Sequence, residues 1–118
     1  MKKIDWLEEW VHEDNYFLLY LDDNDNFIGK AQIEYDEVFE GSESYCAIYH
    51  IYVDNEYRYK GYFNKLIEDC LTHIKKMKYE KVGLYAREEL VPVYEKYGFV
   101  FEDEKVRGEY PGYLKIKK

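Results

Sequence analysis

Tyr45-Cys46-Ala47-Ile48-Tyr49-His50-Ile51-Tyr52-Val53, then Asp54-Asn55-Glu56-Tyr57-Arg58-Tyr59-Lys60-Gly61, then Tyr62-Phe63-Asn64-Lys65 is the stretch on which the fold turns. Its first part is apolar on both faces apart from His50. That pattern predicts a central strand covered on both sides. Its last part opens a long periodic segment, in which Phe63, Leu66, Ile67, Cys70, Leu71, Ile74 and Met77 fall at steps of three and four. This spacing predicts an amphipathic helix. Lys75, Lys76 and Lys78 crowd its end, where cations complement the helix dipole. A buried strand thus feeds a helix through a turn that carries Arg58, Lys60 and Gly61.

The flanking sequence supplies more of the sheet. Tyr16 to Leu21 and Phe27 to Tyr35 are apolar runs of strand length, joined by Asp22-Asp23-Asn24-Asp25-Asn26, which predicts a hairpin. The acidic turn lacks the glycine and terminal glutamate of an EF-hand loop, so we take it as a solvated turn. Lys81 to Ala86 is a further strand. Pro92 and Gly98 bracket a short helix around Val93 to Tyr97. Phe99 to Glu102 and Gly112 to Ile116 close the chain as strands. Ile4, Leu7, Trp10 and Val11 are spaced as on a helix, so a helix is expected over Ile4 to His12. The sum is α+β: a mixed, largely antiparallel sheet of about six strands with helices on both faces.

The chain has 118 residues, 47% hydrophobic and 36% charged, which fits one globular domain over residues 1–118. No apolar run approaches the roughly 20 residues of a membrane span, and no signal peptide is evident. The net charge of −8 argues against binding nucleic acid through its phosphates. Cys46 and Cys70 form neither a disulfide framework nor a metal set, and read as small buried hydrophobes. A reducing, cytoplasmic compartment is expected. No cluster of ligand residues at workable spacing implies a metal. Fifteen tyrosines mean that a tyrosine's role must be argued from its position.

The turn from Asp54 to Lys65 carries the chemistry. Gly61 permits close backbone approach to a ligand. The helix start offers unpaired N–H groups at the positive end of the dipole. With Arg58, Lys60 and Lys65 nearby, these parts predict an anion site suited to a phosphate or pyrophosphate. About thirty residues on comes Val91-Pro92-Val93-Tyr94-Glu95-Lys96-Tyr97-Gly98-Phe99.

Together these segments resemble the GNAT N-acetyltransferase superfamily. The first is similar to its acyl-CoA motif, Arg/Gln-x-x-Gly-x-Gly/Ala, and the second to its Tyr-Glu-Lys-x-Gly-Phe motif. The resemblance runs from about Tyr16 to Ile116. It implies acetyl-CoA as acyl donor, held where two adjacent parallel strands split apart, and direct transfer to an amine-bearing small molecule or a protein lysine or N-terminus. Ile51, Tyr52 and Val53 would pair with the pantetheine arm. Arg58, Tyr59, Lys60, Gly61, Tyr62, Phe63 and Asn64 would wrap the pyrophosphate. Tyr94 falls where the family often has a tyrosine facing the thioester sulfur, and would protonate or hydrogen-bond the departing thiolate.

Three departures stand out. Phe63 occupies the motif's last Gly/Ala position. Arg87 stands where the family often has an asparagine. Too few residues precede the first hairpin for the family's first strand and two helices, so the acceptor side is expected to be open or completed by a second subunit. The positions equivalent to the family's usual base are about Ala47 and Tyr49, and strand alternation would turn His50 away from Tyr49. The alternative to an enzyme is a non-catalytic module of the same fold that binds acyl-CoA or a protein partner.

Overall fold

The computed structural model describes residues 1–116. Seven strands form one sheet in the order β1-β2-β3-β4-β5-β7-β6. They are β1 (Lys2–Trp10), β2 (Glu13–Leu21), β3 (Phe27–Asp36), β4 (Tyr45–Val53), β5 (Lys81–Ala86), β6 (Val100–Phe101) and β7 (Tyr110–Lys115). Helix α1 spans Tyr62–Lys76 and the short helix α2 spans Val91–Glu95. All neighbouring strands are antiparallel except β4 and β5, which run parallel because α1 carries the chain back between them.

The core lies on one face of the sheet. Tyr16, Leu18 and Tyr20 of β2, Ala31, Ile33 and Tyr35 of β3, and Val82, Leu84 and Ala86 of β5 point into it. From α1, the predicted stripe Leu66, Ile67, Cys70, Leu71 and Ile74 covers them. Both cysteines are free and buried, and burial pushes their thiols up to about 12. Helix α2 lies on the same side, where Tyr94 meets Phe63 of α1 edge to face at 5.9 Å.

Three sequence expectations change here. Ile4 to His12 is not a helix: β1 pairs along its whole length with β2, from Lys2 opposite Leu21 to Trp10 opposite Glu13. The two-residue turn Val11–His12 makes this possible, with His12 at φ +69°. The apolar spacing fits a helix by coincidence, whereas Trp6 finds a partner only as a strand residue, stacked on Phe17 at 5.2 Å. This adds the seventh strand. It also leaves the helices gathered on one side, since no helix among the described residues covers the face of Trp6, Phe17 and Tyr49. For the same reason β4 is not covered on both sides: Tyr49, His50 and Tyr52 are exposed.

The acidic turn behaves as a turn. Asp22 accepts the backbone N–H groups of Asn24 and Asn26 at 2.8 and 2.9 Å. No helix among the described residues is long and apolar enough to cross a membrane.

Candidate functional site

Strands β4 and β5 pair only from Tyr45 opposite Lys81 to Ala47 opposite Gly83. Tyr45 lies across Gly83 so closely that any side chain there would collide with its hydroxyl. Beyond this point the strands part. A bulge in β4 contributes: Lys30 faces Tyr52 and Gln32 faces Tyr49, so two residues of β4 stand against one of β3. His50 takes up the irregularity at φ +55°. Strict alternation fails at this bulge, so His50 is not turned away from Tyr49; their rings lie 6.0 Å apart.

The gap between the strands is a cleft of about 440 Å³. Ile51, Tyr52 and Val53 of β4 line one wall. Arg58, Tyr59, Gly61, Phe63 and Asn64 line the end formed by the turn and the start of α1. Eight of the ten residues expected to hold a cofactor therefore meet at one cleft. Lys60 and Tyr62 adjoin it in sequence without lining it; the Lys60 ammonium sits 5.6 Å from the Tyr57 ring.

The turn's geometry follows from its residues. Asp54 caps the 3-10 turn Asn55–Tyr57 by accepting the Glu56 N–H at 3.3 Å. Arg58 Nε donates to the Val53 carbonyl at 3.1 Å, and its guanidinium lies 5.7 Å from the Tyr52 ring. Gly61 caps α1 at φ +88°, a left-handed conformation that a Cβ disfavours. Nothing stands within 4 Å of where that Cβ would be, so the space before the helix is open. The Lys65 N–H makes the first helical bond, to Gly61 O at 3.1 Å. No side chain caps the helix start, and its first turn holds no acidic residue. The N–H groups of Tyr62, Phe63 and Asn64 therefore face outward at the positive end of a fifteen-residue helix.

Tyr94 stands behind this wall rather than in it. Its ring is 5% exposed and packs against Phe63, Phe99 and Phe101. Burial raises its phenol well above the ordinary tyrosine range. The hydroxyl has no hydrogen-bond partner among the described residues and is not among the sealed unpaired atoms, so it keeps contact with open space.

Other residues at the cleft carry no motif of their own. Arg87 and Glu89 line it and form an exposed ion pair at 3.5 Å, and Leu90 and Val93 add apolar surface. Tyr57 lines it too, with its hydroxyl donating to Asp22 at 2.6 Å. Arg87 is marked by its place at the family's asparagine position and Val93 by the second motif segment; for Tyr57, Glu89 and Leu90 the only sequence signal is their place after β4 or β5.

Glu34 has no such signal. It lies on β3 opposite Ala47, on the sheet face away from the helices. A hydrogen bond shared with Glu13, then burial, then repulsion from Glu13 and Asp36 raise its carboxyl to about 7. Only the strand register brings these acids together.

The profile of the acetyltransferase (GNAT) domain family matches residues 1–112. No curated protein matches the chain. Solved structures similar to it include the PaiA N-acetyltransferase of Thermoplasma acidophilum in complex with coenzyme A, at TM-score 0.67 and 19% identity, covering 86% of this chain and 61% of that one. Another is a GNAT acetyltransferase of Elizabethkingia anophelis with acetyl-CoA bound, at 0.65 and 16%, covering 90% and 78%. A third is a spermidine N-acetyltransferase chimera of Vibrio cholerae SpeG and hSSAT, at 0.64 and 21%, covering 86% and 69%. At such identities the likeness is one of fold. The chain spans about six-tenths of the length of several of the solved acetyltransferase structures it resembles.

Proposed function

From the premise that this chain belongs to the acetyltransferase (GNAT) family, we propose that it transfers an acetyl group from acetyl-CoA directly to a primary amine. The observation that carries this reading is the cleft where β4 and β5 part, closed at one end by an uncapped helix start behind Gly61. The parts fit the donor. An extended arm needs free strand backbone, and β4 leaves β5 beyond Ala47. A pyrophosphate needs N–H donors, cations and room, and α1, Arg58, Lys60 and the space at Gly61 supply them.

When bound, acetyl-CoA supplies an activated acyl carbonyl. The chain's own residues do the rest. Ile51, Tyr52 and Val53 align the arm along β4. Arg58, Tyr59, Gly61, Phe63 and Asn64, with Lys60 and Tyr62 adjoining, hold the phosphates. Burial keeps Tyr94 protonated at all physiological pH; from behind the Phe63 wall its hydroxyl, which reaches open space, would donate to the departing thiolate, and the proton lost by the acetylated amine would restore it. The amine approaches from the helix-free face, where Glu13, Glu34 and Asp36 favour a cationic acceptor.

The test is calorimetric titration with acetyl-CoA, with ATP as control, followed by an acetyl-transfer assay against a panel of polyamines, aminoglycosides and lysine peptides. Micromolar binding with turnover of one amine class supports the enzyme. Tight binding without turnover supports the second reading, an acyl-CoA-binding module. One observation favours that second reading: the direct turn from β1 to β2 at Val11–His12 leaves the acceptor side without helical cover.

A further inference from the structure

Strand β1 forms one edge of the sheet and is exposed over all nine residues, Lys2 to Trp10. A long, exposed edge is a template for another strand. Its free backbone groups can be assigned. His12 gives its carbonyl to Glu37 N, one residue past β3, at 3.0 Å, so the Glu13–Asp36 pair is not hydrogen-bonded and Glu13 directs its own backbone pair at Trp10. Alternation then turns the N–H and C=O of Lys3, Asp5, Leu7 and Glu9 outward.

Those four residues read plus, minus, apolar, minus, and charge decides which strand they fit. We propose that β1 pairs antiparallel with β1 of a second copy of this chain, about a twofold axis at Trp6, to form one continuous sheet. A twofold axis normal to the sheet keeps each face continuous, so only residues of the same parity oppose each other. Centred on Trp6, Lys3 lies opposite Glu9 of the second copy, Asp5 lies opposite Leu7, and both pairs recur by symmetry. Centred on Asp5, two aspartates face each other. Centred on Leu7, Asp5 faces Glu9 twice; centred on Ile4, Lys3 meets Asp5, which already accepts the Tyr16 hydroxyl at 2.8 Å, and Glu9 falls outside a shorter ladder. Like charges directly opposite destabilise a pair of strands.

The side chains around the axis agree. Glu8 is occupied, accepting the indole N–H groups of Trp6 and Trp10 at 2.9 and 3.1 Å. Lys2 is held by Asp25 at 2.6 Å. Glu9 has no ion-pair partner among the described residues, and Lys3 has only a long contact to Asp69, 3.7 Å. The two that meet across the axis are therefore an unpaired Glu9 and a loosely held Lys3. On the other face Trp6 is 42% exposed although stacked on Phe17, and dimerisation would set two such stacks edge to edge.

The test is sedimentation of the full chain from micromolar to submillimolar concentration. The wild type is expected to be a concentration-dependent dimer. Lys3→Glu and Glu9→Lys should each raise its dissociation constant by about tenfold or more, because each places like charges opposite twice. An equimolar mixture of the two variants should recover the wild-type dimer, since their strands are complementary again. Recovery on mixing also shows that both variants are folded. A wild type that stays monomeric, a dimer indifferent to either reversal, or a mixture that fails to recover would overturn the interface. None of these outcomes bears on acetyl transfer.

Discussion

Tyr57 donates its phenolic proton to Asp22 at 2.6 Å, and so fastens the turn before α1 to the β2–β3 hairpin. The bond lowers the Asp22 carboxyl to about 2, helped by the backbone N–H groups of the hairpin. A depressed carboxylate contributes stability that is present above its unfolded value, 3.8, and lost as the pH falls through about 2. The melting temperature of Tyr57→Phe should therefore lie below that of the wild type at pH 5 to 7. The two should converge as the pH is taken through that acid window. A gap that persists at the lowest pH would mean that Tyr57 acts by packing rather than through Asp22.

Gly61 stands at φ +88° with open space where a side chain would project. A Cβ at Gly61 meets no atom within 4 Å in the free protein, so the main cost of Gly61→Val to stability is that of the left-handed backbone, about 1–2 kcal/mol. Its larger cost falls on the ligand, whose phosphates would have to share that space. Calorimetry should show acetyl-CoA affinity reduced by about tenfold or more, with the chain still folded by circular dichroism. Unchanged affinity would place the phosphates elsewhere.

Tyr94 carries no internal hydrogen bond, so Tyr94→Phe should leave the melting temperature and acetyl-CoA affinity nearly unchanged. Turnover should drop by roughly 10²-fold, the lower range for loss of a positioned acid. Phe63→Ala removes the ring that Tyr94 meets edge to face and should lower turnover less. Full activity of Tyr94→Phe would remove the phenol from the mechanism.

Glu34 has the opposite sign from Asp22. Its folded value, about 7, lies above the ordinary 4.5, so the folded state holds the extra proton between those values. Stability must then decline as the pH rises through that window. Glu34→Gln should remove this slope and melt higher than the wild type at pH 8, as measured by thermal denaturation. An unchanged slope would show that Glu13 and Glu34 do not share a proton.

Much of this was legible along the chain. The stripe from Phe63 to Met77 becomes α1, and the turn before it leads into the helix at Gly61, whose left-handed conformation only the structure shows. The two motif segments meet as their spacing implies, because a strand, a turn and a helix are local structures written in neighbouring residues. Ile4 to Trp10 was misleading for the same reason. Its local spacing suits a helix, and only pairing with β2 selects the strand. The bulge at His50 is equally invisible, since it exists only relative to β3.

By itself, then, the sequence determined the order of the central elements, the glycine-containing turn before α1 and the family. Each depends on residues within a few turns of one another. Tertiary structure alone decided that β1 is an edge strand, that the helices share one face, and that Glu13, Glu34 and Asp36 stand together. It also decided that Tyr94 lies behind the cleft wall formed in part by Phe63. These depend on strand register and on which face each element buries. Such relations join residues far apart in sequence, and no local pattern encodes them.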